Sequence, residues 1–257
     1  MRLLPAALLG LLACGSEPVP AAGSLDGSVE SHFDPPSGRT SSPTSPRSVG
    51  GEGECARVLV IFDRSGSMGL EWEGATLSGP RWRLAADAVE AVLGPVAERV
   101  EAGALLFPSG PRTDPRACAP VDPLDAQIPW RDGTAFLDAW RATFAGASVG
   151  GTTPLDAAFA RADEALAAGG DTPTLVLVLT DGEPTCAEVP GAASRARDWA
   201  AAGVETWVVG LPGARGGLLL EDIAAAGGTS LLLIDTPEAL TERLAEIVDE
   251  TVQGACR

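Results

Sequence analysis

From residue 57 onward, hydrophobic runs of strand length alternate with segments of helical period. Arg57 to Phe62 is nearly continuous in Val, Leu, Ile and Phe, the pattern of a central strand covered on both faces. Arg81 to Val100 puts Leu84, Ala88, Val92 and Val96 on one helical face. Gly94-Pro95 predicts a kink or division there, because Pro lacks the interior amide and crowds the preceding turn. Ala102 to Phe107 reads as a second buried strand, and a short edge strand fits near Val121 to Ile128, with Pro123 arguing against pairing on both sides. Phe136, Leu137, Trp140 and Phe144 resume helical spacing as core aromatics. Leu155 to Ala168 is a further helix with Pro154 in its first turn, where a missing N–H is harmless.

Thr174 to Thr180, TLVLVLT, is the second central-strand signal. A helix over Ala192 to Ala202, a strand over Val204 to Val209, a helix over Leu218 to Ala226, a strand over Thr229 to Ile234 and a helix over Pro237 to Val252 complete the series. This alternation predicts an α/β fold: a doubly wound, largely parallel sheet with helices on both faces. Its ligand face should lie at the carboxyl ends of the strands.

Both central strands run into an acid, Asp63 and Asp181. After Asp63 the loop DRSGSM places Ser65 and Ser67 at alternating spacing, so two small hydroxyls can join the carboxylate in an oxygen grip on a metal. Local roles are open to the same residues: Asp63 can stabilise its own loop, the serines can bond nearby backbone, and Asp181-Gly182 is an ordinary turn pair.

Charge narrows the partners. The 257-residue chain has a formal net charge of -17, so a nucleic-acid backbone is excluded as a partner. All 18 basic residues are Arg. Without lysine there is no Schiff-base chemistry and no phosphate-contacting P-loop lysine. The single histidine, His32, falls in a Pro/Ser/Gly-rich stretch, leaving a Ser-His-Asp or Cys-His mechanism without its base.

Residues 1–14, MRLLPAALLGLLAC, are too short to span a bilayer and carry the features of an export signal. Their Leu11-Leu12-Ala13-Cys14 ending resembles a bacterial lipoprotein signal. The resemblance implies cleavage before Cys14, lipidation of that residue and membrane attachment through the acyl chains. Gly15 supplies no acidic retention signal, which favours a cell-envelope location at the outer membrane. An ordinary secretory signal, with a secreted or periplasmic product, is the alternative. Residues 15–54 are rich in Gly, Ser and Pro and read as a flexible tether, leaving 55–257 as one domain.

Three separated motifs, DRSGS at Asp63 to Ser67, GGTTP at Gly150 to Pro154 and TDGEP at Thr180 to Pro184, lie in this order of elements. In them the segment from Cys55 to Gln253 resembles the von Willebrand factor A domain family, whose Rossmann-like sheet carries a metal-ion-dependent adhesion site. The resemblance implies Asp63, Ser65 and Ser67 as first-loop ligands, Thr152 as the second-loop ligand and Asp181 as the third. Thr152 has a local alternative as the cap of the following helix. Mg²⁺ suits this oxygen shell, with Mn²⁺ and Ca²⁺ as alternatives. The implied function is binding of a protein partner that presents Asp or Glu to the metal. Glu183 is not required as a ligand by the family pattern, and Arg64 is read either as a rim residue or as a solvated one.

Besides Cys14 the chain has Cys55, Cys118, Cys186 and Cys256, an even set suited to an oxidising compartment. Three pairings are open, with four free thiols or a bound soft metal as the alternatives, although the spacing lacks the compact CxxC signal of a zinc site. The favoured one joins Cys55 to Cys256, tying the first strand to the last helix, and Cys118 to Cys186, bracing two loops. Two rival functions share the metal ligands: a structural envelope protein whose cation locks the loops, and a metal-assisted hydrolase, which would need a positioned base.

Overall fold

Eight consecutive buried residues, ARVLVIFD, make β1 (Ala56–Asp63) the centre of a six-stranded sheet. In the computed structural model of the chain, residues 54–72, 77–110, 118–168, 170, 172–182, 184–185, 191–214 and 217–257 are described. They fall within the unit Ser48–Arg257; the unit Met1–Arg47, which holds Cys14, His32 and most of the predicted tether, lies outside the described residues.

The elements follow in the order β1, α1 (Arg81–Leu93), β2 (Val100–Phe107), β3 (Ile128–Asp132), α2 (Gly133–Ala145), α3 (Leu155–Ala167), β4 (Thr174–Thr180), α4 (Ala192–Ala201), β5 (Glu205–Gly210), α5 (Leu218–Ala226), β6 (Leu232–Leu233) and α6 (Pro237–Ala255). The sheet order is β3-β2-β1-β4-β5-β6. All neighbours pair parallel except β2 and β3. The fold is the α/β, doubly wound type, with one antiparallel edge.

Alternation along β1 sends its side chains into two core layers. Val58, Val60 and Phe62 pack with Val89 of α1, Trp140 of α2 and Leu244 of α6. Leu59 and Ile61 face the other way, against Phe159 of α3, Trp199 of α4 and Ile223 of α5. The α2 aromatics are core, as their spacing predicts. Phe62 meets Trp140 and Phe144 edge-on at centroid distances of 5.5 and 5.1 Å, and the Trp140 indole N–H donates to the Ala86 carbonyl at 3.0 Å. Each fully buried side chain of this size contributes about 1.5–3 kcal/mol relative to exposure, so the two layers carry the domain.

Several element boundaries differ from the sequence reading. Gly94-Pro95 divides the helix, one of the two outcomes expected of it, and only the far bound moves: α1 stops at Leu93 and a 3-10 turn, Gly94–Arg99, leads into β2. The edge strand is Ile128–Asp132, later than expected, because Leu124–Ala126 forms a 3-10 turn instead. The Gln127 side chain then takes a place in the ladder, accepting from the Leu106 N–H at 2.7 Å. The last strand is only Leu232–Leu233. Just before it, Thr229 is occupied in closing α5, donating its N–H to Ala224 and its hydroxyl to the Thr206 carbonyl at 2.6 Å.

Cys55 is bonded to Cys256, with Cα atoms 5.2 Å apart, so the favoured first pairing is present. Cys118 is also disulfide-bonded, and Cys186 lies outside the described residues. No helix among the described residues is long and apolar enough to cross a membrane.

Candidate metal centre

Asp63 is the last residue of β1, and Asp181 directly follows the last residue of β4. The two strands are parallel neighbours, with Phe62 opposite Leu179. From β1 the chain crosses to β2 on one side, while β4 lies on the other. The two carboxylates therefore emerge where strand order reverses, the crevice in which open α/β sheets take their ligands.

The first loop is held in shape by its own carboxylate. Asp63 Oδ1 accepts the Ser65 N–H at 2.7 Å, and Met68, fully buried in the 3-10 turn Gly66–Gly69, plugs the loop into the core. Ser65 Oγ and Ser67 Oγ lie 3.1 Å apart, and Ser67 Oγ donates to Asp181 Oδ1 at 2.7 Å, joining the first loop to the third. The Trp72 indole N–H, donating to the Asp235 carbonyl at 2.8 Å, pins the far end of that loop at the entrance to α6.

The second loop meets both of the others. Its Gly150 N–H donates to the Arg64 carbonyl at 2.9 Å, and the Gly66 N–H donates to the Gly151 carbonyl at 3.2 Å. Thr185 N–H donates to the Thr153 carbonyl at 3.0 Å, while Thr153 N–H donates to the Thr185 hydroxyl at 2.9 Å. Gly151 has φ +87°, and a Cβ there would sit 3.1 Å from the Pro108 ring, so a side chain would be strained and crowded.

Thr152 does not cap the following helix: Pro154 holds the N-cap position of α3, with no side-chain cap. The Thr152 hydroxyl is buried and has no hydrogen-bond partner among the described residues. A buried hydroxyl left without a partner costs about 1–3 kcal/mol, so its persistence points to a group that it would contact.

Thus the structure gathers the loops that carry Asp63, Ser65, Ser67, Thr152 and Asp181, and these are the side chains that could hold a hard divalent cation. No group of three or more His, Cys, Asp or Glu side chains suited to a metal occurs among the described residues. A cation at this position would have to take hydroxyl oxygen alongside the two carboxylates. Glu183 lies outside the described residues. Arg64 is half-buried, and its Nη2 donates to the Pro108 carbonyl at 3.2 Å.

Two further residues belong to the site. Thr180 Oγ1 donates to Asp63 Oδ2 at 2.6 Å and accepts from the Gly182 N–H at 3.2 Å. Arg81, the first residue of α1, pairs its Nη1 with Asp181 Oδ2 at 2.7 Å, with side chains only 10% and 0% exposed. Thr180 had a usable signal as the strand-end neighbour of Asp181. Arg81 had none beyond being a cation at a helix start, where the helix dipole disfavours one.

Burial pushes the Asp63 carboxyl up to about 7, against the hydrogen bonds from Thr180 and Ser65 that favour its ionised form. The folded carboxyl thus holds its proton above its ordinary 3.8, and folding stability is lost as pH rises from about 4 through about 7. The full effect is about 4 kcal/mol. In chelator, urea unfolding at pH 5 and pH 7.5 should show about 2.5 kcal/mol of this loss in the wild type and a much smaller one in Asp63→Asn.

No protein-family model matches the sequence, and no curated protein matches it. Solved structures do. Conserved hypothetical protein BatB from Bacteroides thetaiotaomicron is 15% identical at a TM-score of 0.55, over 77% of this chain and 99% of that one. A von Willebrand factor type A protein from Catenulispora acidiphila is 17% identical at 0.56, over 78% of this chain and 43% of that one. The pilus adhesin SpaC from Lactobacillus rhamnosus GG is 15% identical at 0.58, over 80% of this chain and 31% of that one. The chain thus spans nearly all of BatB and under half of the other two. At these identities the likeness establishes architecture, and that architecture is the von Willebrand factor A-type fold.

Proposed function

We propose that the domain is an adhesion or protein-interaction module that holds Mg²⁺ among Asp63, Ser65, Ser67, Thr152 and Asp181 and through it takes up an Asp or Glu of a protein partner. The observation that carries this reading is the buried, unpartnered Thr152 hydroxyl on a loop bonded to both carboxylate-bearing loops. A hard cation with an oxygen shell retains exchangeable water that a partner carboxylate can replace. Mn²⁺ and Ca²⁺ are alternative occupants.

The reading is one of binding without turnover. Asp63 and Asp181 are both engaged in hydrogen bonds within the site, and no lysine exists to serve as a base. Among the structures similar to this chain are ones named as a pilus adhesin, a minor pilin and a thread matrix protein. Lipidation of Cys14 would hold the domain at the cell envelope, a part of the proposal that rests on the sequence of residues 1–14.

Calorimetric titration of Mg²⁺ tests the site. Asp63→Asn keeps a carbonyl oxygen for the Ser65 N–H while deleting the charge, and it should bind on the order of 100-fold more weakly. Thr152→Val removes only the hydroxyl and should weaken binding about ten-fold. Affinities equal to wild type in both variants would defeat the proposal. If the cation only locks the loops, partner capture from cell-envelope extract will survive a chelator that leaves the protein folded.

A further inference from the structure

We propose that Arg81 is a built-in counter-cation of this site, weakening its hold on a divalent metal and leaving the loaded site with surplus positive charge for an incoming carboxylate. The inference rests on the metal-binding reading above and concerns a residue outside its ligand set.

Arg81 stands where helix energetics would not place it. It opens α1 directly after Pro80, with no side-chain cap on the helix. The helix N-terminus carries a partial positive charge that favours acids and disfavours a cation. The penalty is offset by a long-range partner, because the guanidinium meets a carboxylate 100 positions away in sequence, Asp181 Oδ2 at 2.7 Å. A local rule broken with a long-range partner marks a position selected for the site rather than for the helix.

The surrounding loops are shaped to keep the guanidinium there. The Arg81 N–H donates to the Leu70 carbonyl at 2.9 Å, fixing the start of the helix against the first loop. On the other side Gly213 has φ +104°, and a Cβ on it would lie 2.6 Å from Arg81 Nη1 and 3.3 Å from the Asp181 carbonyl oxygen. The loop after β5 therefore closes over the pair only because that position has no side chain.

The pairing divides the Asp181 carboxylate between two tasks. Oδ2 is held by Arg81, while Oδ1 lies on the Ser67 side, accepting that hydroxyl at 2.7 Å. Oδ1 is thus available to a cation held with Ser67, and Arg81 need not leave. Two carboxylates alone would neutralise a divalent ion. With the buried guanidinium included, the loaded site carries a net charge of about +1, which favours an anionic partner and opposes the metal.

The test compares the full chain with Arg81→Met and Arg81→Lys. Mg²⁺ affinity is read by calorimetry, and binding of ¹³C-acetate to the Mg²⁺-saturated proteins is read by NMR. Arg81→Met should bind Mg²⁺ at least about ten-fold more tightly and acetate at least about five-fold more weakly, as removal of a nearby unit charge requires. Arg81→Lys, which retains the charge, should stay within about three-fold of wild type on both readouts. Should Arg81→Met fail to fold, Arg81→Gln, whose amide can still donate to Asp181, replaces it with the same expected directions.

Wild-type uptake of Mg²⁺ with equal or weaker uptake by the folded charge-free variant overturns this inference and leaves the metal site standing. Unchanged acetate binding overturns the surplus-charge half. Failure of wild type and variants alike to take up Mg²⁺ overturns the metal-site reading itself, and this inference with it.

Discussion

Asp181→Ala lowers the unfolding free energy by about 3–5 kcal/mol in urea titrations at neutral pH in the presence of chelator, because it strands the Arg81 guanidinium as an unpaired buried charge. The side chains are 10% and 0% exposed and 2.7 Å apart, so little solvent screening moderates the loss. Removing both partners acts differently. Arg81→Met/Asp181→Ala deletes the charge along with its counter-charge, and replacement of a buried pair by apolar groups is often close to neutral. The double variant should recover most of the stability lost by the single one, a coupling well above the error of the measurement. A double variant as unstable as Asp181→Ala alone would show that the loss came from the loop, through Ser67, and not from the pair.

The Cys55–Cys256 bond carries the second large effect. It links residues 201 apart, so it closes nearly the whole domain into one loop. In the chain-entropy account a cross-link over this length removes about 5 kcal/mol worth of unfolded-state freedom, and removal of native bridges typically costs about 2–5 kcal/mol. Cys55→Ala/Cys256→Ala should show a loss in that range by urea unfolding. Using this variant rather than a reductant leaves the Cys118 disulfide intact. Native-state amide exchange should locate the early opening at the beginning of β1 and the last turns of α6, and an unchanged unfolding midpoint would reject the stabilising role.

Which parts of this molecule could be read from sequence follows from the range of the interactions that set them. Buried central strands write themselves as unbroken apolar runs, so TLVLVLT gives β4 at the observed bounds, Thr174–Thr180. Helices with a one-sided stripe are nearly as plain, as α5 at Leu218–Ala226 shows. The edges were less legible because tertiary partners define them. Gln127 replaces a strand residue with its side chain, and Thr229 is drawn into closing a helix, so β3 and β6 both begin later than their apolar patterns do.

The candidate site divides along the same line. Asp63, Ser65 and Ser67 share one short loop, and their spacing is visible locally. The gathering of Thr152 and Asp181 beside them was legible only through the order of strands and the motif resemblance. Arg81 escaped altogether, since its meaning depends on a carboxylate that the topology brings in from the end of β4. The composition of an amphipathic helix offers no way to distinguish such an arginine from a solvated one.

The placement of the ends along β1 has a mechanical consequence. The chain enters the domain at Cys55, at one tip of this strand, and Asp63 stands at the other tip, about 26 Å away at the usual rise of a strand. A pull applied between the entry at Cys55 and the loop at Asp63 would run lengthwise through a strand laddered to neighbours on both flanks. Under such a pull the ladder bonds share the force in shear instead of unzipping one after another, and the covalent staple to α6 bars the entry tip from peeling away first.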